Sequence, residues 1–237
     1  MSQFPTTRWS VVLAARAGSR LALAQLLGDY WQALYVFARR SGSSGADAED
    51  RTQGYFLHFV EKGFVGSVDA DSGRFRAFLL ASFKHYLAND RDRSSTRKRG
   101  GDKLHLSLDF AAADALYREA RVDGLTAEQL YDRRWGLTVM KRALERLEEE
   151  EVQAGRAERF AELRRFLTGD DEGLARGGAA LGLGAAAMKV AVHRLRRRYG
   201  DCLRAEVSDT AAEGADLEGE LRALFQAVAQ PALAEWS

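Results

Sequence analysis

Proline is confined to the two ends of this chain. Pro5 and Pro231 are its only prolines, so no residue from 6 to 230 lacks the amide donor that a helix interior needs. Over 6–95 and 127–206 apolar residues recur at the helical period without strand-type alternation. An all-α chain follows. Leu23, Leu26, Leu27, Tyr30, Leu34 and Phe37 form one stripe within 21–40, stopped by Ser41-Gly42. Phe75, Phe78, Leu79, Leu80, Phe83, Tyr86 and Leu87 form a broader one within 74–93, which predicts a helix central to its domain. Further helices are predicted over 6–17, 44–62, 127–151, 156–167, 174–181 and 185–204. Leu217, Leu221, Leu224, Phe225 and Val228 mark a last amphipathic helix. Ser44-Gly45-Ala46-Asp47 has the form of a capping box, in which the serine oxygen and the aspartate side chain each satisfy an orphan backbone amide.

At 237 residues and 46% apolar content the chain can bury real cores, and two small helical domains suit it best. Between them, Ser94-Ser95-Thr96 and Gly100-Gly101 flank basic residues without a sustained stripe, which predicts a flexible linker. The expected division is a domain over 1–95, a basic linker over 96–126, a second domain over 127–206 and a helical extension over 207–237. The extension's apolar stripe needs a partner: the same chain, another copy or a regulator. The lone Cys202 excludes an internal disulfide, and no apolar run approaches the roughly 20 residues that span a bilayer. Without a signal-peptide pattern, a cytoplasmic protein with no membrane partner is expected.

Residues 188–199 join two stripes on one short helix. Met188, Val192, Leu195 and Tyr199 fall on one face, and Lys189, His193 and Arg196 on its neighbour with Arg197 at the edge. Before them, Ala179-Ala180-Leu181-Gly182-Leu183-Gly184 reads as a helix ending in a glycine turn. That is the outline of a helix-turn-helix. In such a motif the start of the second helix approaches base edges while flanking cations hold phosphate. Ala185, Ala186, Lys189, Val190 and His193 are therefore the candidate base-facing positions, and Arg194, Arg196, Arg197 and Arg198 the candidate phosphate anchors. Net charge is only +1, but charges of one sign are grouped: 91–103 and 189–198 are basic, 145–151 and 213–220 acidic. Two positive patches at near-zero net charge suit a protein that touches DNA and a protein partner.

Against this stands an ordinary solvated helix end, where cations also interact favourably with the helix dipole. Phe75, Phe78, Phe83 and Tyr86 could stack on extruded bases, but core packing is the better reading for most of them. Catalysis has little support. His58, His85, His105 and His193 lack paired metal-ligand spacing, Cys202 has no second cysteine, and no nucleophile elbow, zinc-protease motif or dinucleotide fingerprint is present. No enzyme activity, cofactor or metal is expected.

Four stretches, taken in order, resemble the extracytoplasmic-function (ECF) sigma factors of bacterial RNA polymerase. They are Phe4-Pro5-Thr6-Thr7-Arg8-Trp9-Ser10, Asp47-Ala48-Glu49-Asp50-Arg51-Thr52-Gln53, Gly73-Arg74-Phe75-Arg76-Ala77-Phe78-Leu79-Leu80-Ala81-Ser82, and Lys189 through Tyr199. The resemblance implies a region-two domain that binds core polymerase and the minus-ten element. It also implies a winged-helix-like region four that reads the minus-thirty-five element; whether an anti-sigma or other regulatory protein is a further partner stays open. Carried over by position, Asp47, Asp50 and Gln53 face core polymerase, while Lys84, His85, Asn89, Arg91 and Arg93 face the melted minus-ten strand.

The chain also departs from the family pattern. Arg51 stands in place of leucine, Gly54 in place of glutamate, and Gly184-Ala185 in place of a Ser-Glu helix start, while Gly177-Gly178 is expected to loosen the first helix of the motif. A sigma-like regulator that binds DNA without recruiting polymerase is the alternative these residues motivate. A protein-interaction module built on the acidic last helix is a third reading.

Overall fold

The computed structural model describes residues 17, 19–61, 75–94, 108–120, 124–167, 173–208 and 216–229. Every regular element among them is helical: α1 (Arg20–Arg40), α2 (Gly45–Glu61), α3 (Phe75–Ser94), α4 (Phe110–Ala120), α5 (Ala127–Gln153), α6 (Ala157–Leu163) with a 3-10 turn (Arg164–Phe166), α7 (Leu174–Ala180), α8 (Ala185–Ser208) and α9 (Leu217–Ala229). Apart from Ala17, the helix expected over 6–17 lies outside the described residues, as do the loop around 63–73 and Arg97, Lys98 and Arg99. The chain forms two compact units. One comprises Met1–Thr138 with Ser208–Ser237, the other Val139–Val207. The division thus falls within α5, not at a linker before residue 127, and the C-terminal helix belongs with the first unit.

In the first unit the central helix is α1, not α3. Leu34 and Ala38 are wholly buried and Tyr30, Trp31, Ala33, Tyr35, Val36 and Phe37 nearly so, which leaves the second half of α1 enclosed all round. Gly42, at φ +96°, ends it, and the Ser43 amide turns back onto the Ala38 carbonyl at 3.1 Å. The next helix begins at the expected cap, with one change of detail: Ser44 Oγ accepts from the Asp47 amide at 3.1 Å, while the Asp47 carboxylate accepts from the Ser44 hydroxyl at 2.7 Å. Phe75 and Phe83 are core residues. Edge-on ring contacts join Tyr30 to Phe75 at 5.3 Å and Tyr55 to Phe83 at 4.9 Å.

The segment expected to be a flexible linker over 96–126 carries α4, which packs on α1. Phe110 meets Trp31 and Tyr35 with ring centroids at 5.1 and 5.4 Å. Asp114 accepts from Arg39 Nε at 2.8 Å and from the Tyr35 hydroxyl at 3.1 Å, and Tyr117 donates to the Arg39 carbonyl at 3.2 Å. Phe110, Ala113 and Tyr117 supply one short apolar face, enough to bury once α1 offers its own. The last helix finds its partner in the same chain. Leu221, Leu224 and Ala227 of α9 are buried, and Leu224 and Val228 lie against Gly136, where a Cβ would come within 2.9 Å of Val228 Cγ2. Buried Glu220 reaches Arg76 of α3 at 3.7 Å.

The second unit packs α8 against the end of α5, α6 and α7. Val139, Ala143 and Leu147 of α5, Phe160, Leu163 and Phe166, and Met188, Val192, Leu195 and Leu203 of α8 form its core. Gly155, at φ +70°, closes α5 and lets the Arg156 amide reach the Glu151 carbonyl at 2.8 Å.

Candidate nucleic-acid interface

The α7–α8 junction is set by two glycines. Gly182 takes φ +65°, and the Leu183 amide bonds the Gly178 carbonyl at 2.8 Å, folding the turn back over α7. A Cβ on Gly178 would lie 2.7 Å from the Leu183 carbonyl oxygen, and Gly177 has Met188 Cε and Phe166 Cε2 at 3.1 Å from where its own would be. These glycines allow α7 to approach the turn and α8 closely. The helix α8 then starts beyond the turn with Met188 fully buried, which turns the opposite edge of its first three turns outward.

On that outward edge Ala185, Ala186, Lys189, Val190, His193, Arg194 and Arg197 are exposed. The other two candidate anchors are held internally. Arg196 is half-buried and donates from Nε to the Phe166 carbonyl at 2.9 Å. Arg198 is bound by Glu150 at 2.9 Å and also by Glu151, whose side chain is buried and further held by Arg156 at 2.6 Å. Three consecutive arginines therefore divide: Arg197 faces solvent while its neighbours pin α8 to the rest of the unit. Part of the acidic run at 145–151 serves this internal pairing. Cys202 lies beneath the same cluster, its thiol pushed up to about 11 by burial and by the Glu150 carboxylate, so it stays protonated at neutral pH.

In the first unit, Asp47, Asp50 and Gln53 all lie in the first half of α2. Asp47 is engaged in its cap, Asp50 is exposed, and Gln53 donates to Glu49 at 3.3 Å. The two departures nearby have structural uses. Arg51 donates to Ser43 Oγ at 2.7 Å and to Asp90 of α3 at 3.3 Å. Gly54 leaves room for Tyr86 of α3, whose hydroxyl oxygen would stand 2.5 Å from a Cβ there. On α3, Lys84, His85 and Asn89 are exposed, and Lys84 pairs with Glu128 of α5 at 2.7 Å. Arg91 and Arg93 belong to the end of α3, and their side chains lie outside the described residues.

The sequence reading missed Glu128, and nothing local to it signals the pairing. Among the described residues no group of three His, Cys, Asp or Glu side chains could hold a metal ion, and no helix is long and apolar enough to cross a membrane. Compared with protein-family models, curated proteins and solved structures, the chain matches none.

Proposed function

We propose that this protein is a sigma factor of the extracytoplasmic-function type, which binds core RNA polymerase and directs initiation by minus-ten and minus-thirty-five recognition. It performs no covalent chemistry and needs no cofactor. The observation that carries the reading is the outward edge of α8. Behind a glycine turn, Lys189, His193, Arg194 and Arg197 stand exposed beside Ala185, Ala186 and Val190, while Met188, Val192 and Leu195 anchor the helix from behind. Cations on one edge of a rigid helix meet phosphate, and the helix start meets base edges, as in a winged-helix-like region four. The first unit supplies region two: Asp47, Asp50 and Gln53 for core polymerase, and Lys84, His85, Asn89, Arg91 and Arg93 for the melted strand. Binding energy for unstacked bases offsets part of the few kcal/mol that local opening costs. The protein works in the cytoplasm.

The test is co-elution of the purified chain with bacterial core RNA polymerase on size exclusion, with Asp50→Arg as control. Co-elution that the variant loses supports the reading; a folded wild type that leaves core polymerase untouched refutes it. In that case the second reading, a sigma-like DNA-binding regulator without polymerase recruitment, takes its place. It is favoured by Arg51 and Gly54, which bind α2 to α3 instead of supplying the leucine and glutamate of the family's polymerase-facing helix.

A further inference from the structure

Lys84 does not stand alone on α3. Its Nζ lies 2.7 Å from Glu128 Oε1 and 5.5 Å from the centroid of the Phe37 ring. Glu128 belongs to the first turn of α5, whose start is fixed by a reciprocal cap: the Thr126 amide donates to Gln129 Oε1 at 2.8 Å, and the Gln129 amide to Thr126 Oγ1 at 3.2 Å. One turn further, Asp132 holds Arg76 of α3 at 2.6 Å, and the Arg76 guanidinium lies 4.4 Å from the Trp135 ring centroid. Buried Tyr131 donates to the Arg76 carbonyl at 3.0 Å. The start of α5 is thus fastened to α3 on its Tyr131, Asp132 and Trp135 side, and Glu128 is delivered to Lys84 by a helix that cannot roll away without breaking those contacts. The hydrogen bond from Lys84, first, and the backbone at the helix start hold the Glu128 carboxyl below the usual carboxylate range, so it is charged at neutral pH. A carboxylate and a phosphate require the same ammonium.

We propose that Glu128 is a built-in competitor of nucleic acid: it occupies Lys84 in the free protein and must be displaced when a strand's phosphate binds there. This rests on the assignment of Lys84 to a melted strand. Both side chains are about half exposed, at 45% and 51%, so the restraint is modest. Releasing it raises single-strand affinity about two- to five-fold, the range that exposed pairs support. The contact to be unmasked is to phosphate, so the gain is independent of base sequence.

Fluorescence anisotropy of labelled oligothymidylate, titrated at low salt with the full chain, tests this. Glu128→Gln is expected to bind about two- to five-fold tighter than wild type. Lys84→Gln is expected to bind more weakly, and the double variant to match Lys84→Gln. An equal gain from Glu128→Gln in the Lys84→Gln background would reduce it to general charge and overturn the proposal, as would no gain in the wild-type background. If none of the four proteins binds while all keep their helical circular dichroism, the assignment of Lys84 fails and the competitor role fails with it.

Discussion

Gly178→Ala isolates the closest approach in the second unit. In an open helix the added methyl stabilises by about 1 kcal/mol, because alanine loses less backbone freedom than glycine. Here the Cβ would sit 2.7 Å from the Leu183 carbonyl oxygen, with Met188 Cβ and Cγ at 3.5 and 3.7 Å. Leu183 O is backbone within a turn fixed by Gly182 at φ +65°, so relief requires moving the turn away from α7, not rotating a side chain. Overpacking of this kind costs about 1–3 kcal/mol, and an obstacle that is backbone, unable to rotate away, puts this site in the upper part of that range, at about 2–3 kcal/mol. Against the propensity gain, the net loss expected is about 1–2 kcal/mol, or roughly five- to thirty-fold lower hydrogen-exchange protection across α7 and the first turns of α8. Thermal unfolding of the second unit should fall by about 5–10 °C. Gly28→Ala, in the interior of α1 with nothing within 4 Å of the new Cβ, is the contrasting change and should stabilise the first unit by about 1 kcal/mol. Gly178→Ala as stable as wild type, with unchanged protection at Met188, would refute the argument that close approach, not backbone freedom, explains this glycine.

Adjacent arginines on α8 should behave oppositely: Arg197→Ala lowers duplex DNA affinity at any sequence and reduces the salt slope by about 1, while its unfolding midpoint stays within experimental scatter. Arg198→Ala should instead destabilise the second unit by about 1–3 kcal/mol, because buried Glu151 loses one of its two arginines; urea titration separates the two outcomes. Burial raises the Cys202 thiol from 9.0 to about 11, so its contribution to stability is complete below pH 9 and is lost as pH rises from there through 11. A thiol reagent at pH 8 should label it only as fast as the unit opens, and rapid labelling of the folded protein would contradict its burial. Asp114→Asn should free α4 from α1, raising amide exchange over Phe110–Ala120. Burial works against the Asp114 charge, but Tyr35 and Arg39 outweigh it and hold its carboxyl low, so this contact persists above the ordinary carboxylate range and fails as pH falls through its own lowered value. An α4 as well protected in Asp114→Asn as in the wild type at pH 7 would disprove that role.

Helix positions were legible in the sequence because a stripe of large apolar residues declares both its period and its buried face. The ends of α1, α3, α7 and α9 fall close to where Ser41-Gly42, the aromatic run, the glycine turn and Leu217 put them. What escaped was decided by partners distant in sequence. The helix α4 is short, and five of its eleven positions are alanines, of which Ala113 is buried, an outcome unpredictable until Trp31 and Tyr35 are in place. Gly54 and Gly178 read as weak points, since only the neighbouring Tyr86 ring and Leu183 carbonyl reveal that a side chain would not fit. In the candidate interface, nothing in the sequence of Arg196-Arg197-Arg198 indicates which guanidinium remains outside. That choice belongs to the Phe166 carbonyl and the carboxylates of Glu150 and Glu151.

The first unit is interrupted in the chain by the second, and this orders its assembly on the ribosome. Synthesis delivers all of 139–207 before Glu220, Leu221 and Leu224 exist, so the later-encoded unit has its full sequence while the earlier one still lacks a helix. Until then Arg76 has Asp132 but not Glu220, and the face of α5 at Gly136 has no Leu224 or Val228 upon it. A nascent chain paused near residue 207 would carry that apolar face uncovered and invite chaperone capture, and release of α9 from the exit tunnel is the event that closes it.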